Sequence, residues 1–175
     1  MRDRRKGRSV GCSDSLPKPE CEAVRDAIGS VRPSGDTALV DGTYAAIMLD
    51  PANGGRDLLL IFSDGLDTAS WLTAEPVLDS AKRSDVVVYG VSSRSLADSK
   101  CLEDITDITG GATLNIASTK DLATTFLKIL DEFRQRYLIS YSPTGVSKDG
   151  WHRLDVRVKG RRVTVKARAG YQAGA

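Results

Sequence analysis

Five consecutive apolar residues, 58–62, restrict the fold of this chain more than any other feature. A run this short, with no polar position, is typical of a strand covered on both faces, as in a parallel sheet flanked by helices. Ligands of open α/β sheets bind at the carboxyl ends of such strands. A plain Asp-Gly turn explains the same stretch, so other parts of the chain must decide. Polar and turn-forming residues follow the run: Ser63, Asp64, Gly65 and Asp67.

Apolar strands and amphipathic helices alternate through the middle of the chain. A second apolar run lies at residues 86–91, and a shorter strand pattern lies at 113–117. This alternation predicts an α/β domain with a partial doubly wound, Rossmann-like parallel sheet. Asp36 is expected to be the N-cap of the second helix, because its carboxylate can accept the first free amides. The helices are predicted over residues 22–31, 37–49, 74–84, 100–109 and 120–134.

The apolar period changes to two after residue 134, which predicts strands instead of helices. The three predicted strands run over residues 137–141, 154–158 and 163–167, and together they form an antiparallel three-stranded appendage with one apolar face. The chain is therefore divided into a basic, disordered leader, an α/β body and C-terminal strands. These segments cover residues 1–20, 21–134 and 135–175.

The charges are distributed unevenly along the chain, although the formal net charge is only +2. Residues 1–8 carry +4 and residues 148–168 carry +6, which leaves −8 for the segment between them. Basic ends around an acidic body are compatible with nucleic-acid binding. The C-terminal charges alternate along predicted strands, however, and this pattern favours a solvated face.

The sequence motifs do not indicate an enzyme. The chain has three cysteines without CxxC spacing and one histidine, His152, so a zinc or Cys/His site is not expected. Neither apolar strand is followed by a GxGxxG or P-loop motif, and no nucleophile–base pair is evident. The hypotheses for the function are a binding module and, as alternatives, an α/β enzyme fragment or a basic nucleic-acid-binding protein.

Five motifs follow one another in order along the chain: Gly-Asp-Thr-Ala-Leu at 35–39, the strand with Ser-Asp-Gly-x-Asp at 59–67, Thr-Gly-Gly at 109–111, Arg-Tyr-Leu-Ile-Ser-Tyr-Ser-Pro at 136–143 and the segment 151–171. Each motif alone is weak, but in this order and spacing they resemble the second half of a von Willebrand factor type A domain of a bacterial subgroup. The resemblance covers about residues 22–171. It implies a protein–protein interaction or adhesion module.

The resemblance implies a metal-ion-dependent adhesion site at the carboxyl edge of the sheet. In this chain it assigns Thr37 and Asp64 as metal ligands, with Asp36, Ser63, Gly65 and Asp67 in the ligand-binding loops. Such oxygen ligands suit Mg²⁺, Ca²⁺ or Mn²⁺. The family's Asp-x-Ser-x-Ser loop does not occur in the sequence. Two protein ligands are too few for tight Mg²⁺ binding, so we expect weak binding at most.

The resemblance also implies that the chain is truncated at its N-terminus. Its partners would then be a protein ligand that offers a carboxylate, the missing first half of the domain, or a second copy paired through an exposed strand edge. No run of residues is long and apolar enough for a membrane span. The sequence as written carries no signal peptide and points to the cytoplasm, whereas full-length relatives are often exported.

Overall fold

The structure, a computed structural model, describes residues 18–32, 34–49, 57–63, 66–93, 100–160 and 162–174. The chain divides into two compact units, Met1–Gly35 and Asp36–Ala175. In the first unit, α1 spans Lys18–Ser30, where a helix was predicted over residues 22–31, and its apolar side chains Val24 and Ile28 are exposed. The predicted leader lies largely outside the described residues.

The second unit is built on a three-stranded parallel sheet in the order β1-β2-β3, which confirms the α/β class. All six residues of β2 are buried, as expected for the central strand of a sheet that helices cover on both faces. β1 and β3 lie at the two edges of the sheet. The strands are β1 (Leu58–Ser63), β2 (Val87–Ser92) and β3 (Ala112–Asn115).

Helices cover both faces of the parallel sheet. α2 (Leu39–Met48), α3 (Ala74–Arg83) and α4 (Lys100–Thr109) enclose one apolar core, whereas α5 (Leu122–Arg134) packs on the opposite face. The bounds of α4 match the prediction. Among the described helices, none combines the length and apolarity that a bilayer crossing requires. The first core contains Ile47, Ile61, Val77, Ala81, Val88, Leu102 and Ile105; the second contains Val87, Tyr89, Val91, Ile116 and Ile129.

The Thr-Gly-Gly motif ends α4 and admits close backbone contacts. Thr109 Oγ1 accepts the backbone N–H of Val88 at 3.1 Å and donates to the carbonyl of Ile105 at 2.9 Å. Gly110 has a φ of +75°, which favours glycine. A Cβ on Gly111 would lie 1.7 Å from the carbonyl oxygen of Val88. The motif therefore has a structural explanation.

The C-terminal appendage differs from the prediction. Instead of three strands, the structure has a separate two-stranded antiparallel sheet of β4 (Gly150–Arg153) and β5 (Gly170–Ala173). None of the three predicted segments is a strand. Their apolar side chains, such as Tyr137 at 87% exposure, are largely uncovered, so a ladder there would gain little burial to offset its ordering.

Candidate functional site

Polar residues end all three strands of the parallel sheet at the same level. Ser63 of β1 pairs in register with Ser92 of β2, and Ser92 pairs with Asn115 of β3. The carboxyl edge of the sheet is thus a polar row, followed by the loop at residues 66–73. Because this edge is where open α/β sheets bind ligands, it is the candidate site.

The loop after β1 is anchored on the start of α2 by Asp67 and Ser70. The Asp67 carboxylate accepts the backbone N–H of Val40 at 2.8 Å and that of Ser70 at 3.0 Å. The Ser70 hydroxyl accepts the backbone N–H groups of Val40 and Asp41, each at 3.1 Å. These oxygens satisfy amides that a helix N-terminus leaves without intrahelical partners.

Asp41 in α2 and Thr37, which precedes the helix, bind the loop in turn. The Asp41 carboxylate accepts the backbone N–H groups of Trp71 at 3.0 Å and Leu72 at 2.9 Å. The Thr37 carbonyl accepts the N–H of Thr68 at 2.8 Å, and the Thr37 N–H donates to Thr68 Oγ1 at 2.9 Å. Reciprocal bonds in both directions hold the loop backbone in one conformation.

The charge of Asp67 is stabilised by these contacts. Desolvation raises its pKa, but the hydrogen bonds from the Ser70 hydroxyl and from the backbone amides of Val40 and Ser70 outweigh that effect. The pKa of Asp67 is therefore held below its usual value, and the carboxylate is ionised at neutral pH. This negative charge at a helix N-terminus also interacts favourably with the helix dipole.

The structure brings together only part of the predicted site. Thr37 bonds to Thr68 and Asp67 bonds to Val40 where the loop lies on the start of α2, and Ser63 lies half-buried at the end of β1. Asp64 and Gly65 lie outside the described residues. The N-cap assignment of Asp36 is wrong: the cap position is Ala38, and Asp67 and Ser70 supply the capping oxygens from the loop.

Sequence reasoning missed Asp41 and Trp71. Asp41 looked like an ordinary acidic residue in a first helical turn, and only the folded loop shows what it binds. Trp71 is 94% exposed, although its backbone is fixed by Asp41. The available signal was a tryptophan in the polar segment between two predicted helices, because tryptophan combines a large apolar ring with a hydrogen-bond donor and is enriched at interfaces.

The structure describes only part of the implied cation site. Asp67 already accepts hydrogen bonds on both of its carboxylate oxygens. Within the described ranges, no group of three or more His, Cys, Asp or Glu residues is arranged to hold a metal ion. Of the two ligands implied by the resemblance, only Thr37 can be located.

A second polar cluster lies on the α5 face and has a structural purpose. Tyr89 donates its hydroxyl hydrogen bond to Glu132, and Arg136 donates to the Tyr89 oxygen at 2.7 Å. Lys166 donates to both Glu132 oxygens at 3.0 Å. Burial, together with the Glu132 contact, raises the pKa of Tyr89 to about 12. Through Lys166, the cluster connects the C-terminal segment to Glu132 of α5, and through Tyr89 it connects Glu132 to β2.

No protein-family model matches the chain, and neither a curated protein nor a solved structure is significantly similar to it. The resemblance to von Willebrand factor type A domains therefore rests on the sequence motifs alone.

Proposed function

We propose that the chain is a protein-binding module of the von Willebrand factor type A kind, and that it contacts its ligand through the carboxyl edge of the parallel sheet. The observation that carries the proposal is the loop at residues 66–73, which displays Trp71 at 94% exposure on a backbone held by Asp41. The sequence motifs and the polar row at the strand ends support it.

Trp71 has the properties of an interface anchor. Tryptophan is enriched among residues that dominate binding energy, because its large ring loses little conformational entropy on burial. A rigid loop reduces the ordering cost of association further. Leu66, at the start of the same loop, adds exposed apolar area. We infer that a protein ligand buries the Trp71 ring and directs a polar group toward the strand ends.

The C-terminal basic residues favour this proposal over nucleic-acid binding. Several of them are engaged within the chain: Lys166 pairs with Glu132 at 3.0 Å, and Arg168 pairs with Asp85 at 3.0 Å. Cations that are already paired release fewer phosphate counterions, so their contribution to a salt-dependent nucleic-acid interaction is small.

A selection experiment tests the proposed function. The full chain is immobilised, a random peptide library displayed on phage is panned against it, and the affinities of enriched synthetic peptides are measured by fluorescence anisotropy. Trp71→Ser should weaken binding at least about tenfold, because hot-spot truncations cost about 2 kcal/mol or more. The matched control is Met48→Ser, which removes an exposed apolar side chain from the other end of α2.

Failure to enrich any peptide, or equal affinity for wild type and Trp71→Ser, contradicts the proposal.

Calorimetry with Mg²⁺ and with Mn²⁺ examines the metal implied by the resemblance. We expect millimolar binding at most, and a micromolar constant abolished by Asp64→Ala would contradict that expectation.

A further inference from the structure

The outer edge of β1 offers its backbone to another strand. The carbonyl of Asp57 accepts the N–H of Val87 at 2.9 Å, so the backbone groups of alternate residues from Asp57 onward point toward β2. The N–H and carbonyl groups of Leu58, Leu60 and Phe62 therefore point away from β2. No described residue forms a hydrogen bond with them.

Within residues 58–62, this edge lacks the residue types that normally prevent pairing. Residues 58–62 contain no lysine, no proline and no charge. Phe62 is 49% exposed, although it lies in a strand. Leu58 and Leu60 pack on the α5 core but stay only half-buried. The edge thus combines backbone groups that no described residue pairs with apolar side chains that remain partly in water.

We propose that β1 pairs antiparallel with β1 of a second copy, about a two-fold axis at Leu60, to form a continuous six-stranded sheet in a homodimer. A two-fold axis at Leu60 requires that Leu60 and the residues two positions before and after it all direct their backbone N–H and carbonyl groups away from β2. Leu60 meets Leu60 of the second copy, and Leu58 meets Phe62 of the second copy. Each such pair exchanges both of its N–H···O bonds.

The side chains and charges fit the same register. Leu58, Leu60 and Phe62 share the α5 face, so the ring of Phe62 packs against Leu58 of the second copy. On the opposite face, Leu59 packs against Ile61 of the second copy. Asp57 faces Ser63 of the second copy, and no like charges are opposed. The pairing is isologous and closes after two copies, as a two-fold interface requires.

Sedimentation velocity of the full chain tests the homodimer. Wild type should sediment at high micromolar concentration with twice the 18.8 kDa monomer mass. Phe62→Pro should sediment as a monomer, because proline removes an outward N–H and is tolerated where that N–H faces away from the sheet. The matched control is Phe62→Leu, which keeps the N–H and an apolar side chain and should remain a dimer.

Hydrogen exchange of the wild-type chain gives an independent measurement that needs no variant. The amides of Leu58, Leu60 and Phe62 should exchange more slowly as the protein concentration rises, whereas amides within β2 should not change. Wild type that stays monomeric, an open series of larger oligomers, or a dimer retained by Phe62→Pro would each overturn the proposal.

Discussion

The carboxylate of Asp67 accepts the backbone N–H of Val40 at 2.8 Å across 27 positions of sequence. A loop residue thereby caps a helix that precedes it in the chain. A helix is usually capped instead by the residue directly before its first turn. In the opposite direction, Asp41 of that helix accepts the backbone N–H of Trp71 in the loop. Helix capping and loop presentation are therefore coupled.

Removal of this cap should destabilise the protein. We expect Asp67→Ala to lower the free energy of unfolding by about 0.5–2 kcal/mol, the usual cost of losing an N-cap carboxylate. Asp36→Ala should change it by less than about 0.5 kcal/mol, because the Asp36 side chain is exposed and does not cap α2. Urea unfolding measures both, and equal losses would refute the assignment of the cap to Asp67.

Glu132 should contribute a pH-dependent part of the stability. Desolvation raises its pKa. The hydrogen bonds from Tyr89 and Lys166 and the charges of Lys166 and Arg136 lower the pKa by more than desolvation raises it, so the pKa of Glu132 lies below 4.5. The unfolded chain then binds a proton more readily than the native one. The stabilisation is therefore complete only well above the unfolded-state pKa of 4.5, and it is lost as the pH falls through the lower native pKa.

Accordingly, the stability difference between wild type and Glu132→Gln should shrink between about pH 6 and about pH 3. Chemical unfolding at several pH values measures it. Asp131→Asn, on the exposed side of the same helix, is the control and should show little effect. A difference that grows on acidification would show that the sign of the shift is wrong.

Two glycines should respond to alanine in opposite directions. Gly111→Ala places a methyl group against the Val88 carbonyl, so we expect a loss of about 1–3 kcal/mol from overpacking. Gly42 lies in α2 with open space around it, and Gly42→Ala should stabilise by about 0.5–1 kcal/mol. Thermal unfolding compares the two variants, and a stabilised Gly111→Ala would be incompatible with the close approach of the two backbones.

The centre of the α5 contact should lie at Ile129. Its side chain is 1% exposed, whereas Phe126 is half-buried. Ile129→Ala should cost about 2–5 kcal/mol, and Phe126→Ala should cost less than Ile129→Ala, because its ring stays partly in water. The two unfolding free energies decide the order, and a larger loss at Phe126 would mean that the helix presents a different face.

Much of the α/β body could be predicted because its signals are local. The uninterrupted apolar run of β1, the helical spacing over α4 and the glycines behind it each reflect physical constraints within a few neighbouring residues. The C-terminal strands were mispredicted for the converse reason. An alternating pattern predicts a strand only if another element covers its apolar face, and the pattern does not reveal whether that element is present.

The sequence by itself determined the parallel strands, most helix boundaries and the gathering of polar residues after β1, because periodicity and turn chemistry act over short distances. Only the tertiary structure decided that Asp67 caps α2, that Asp41 holds the loop of Trp71 and that β4 pairs with β5. Each of these contacts joins segments far apart in the chain. Their geometry depends on how the sheet and helices pack, and no local pattern records it.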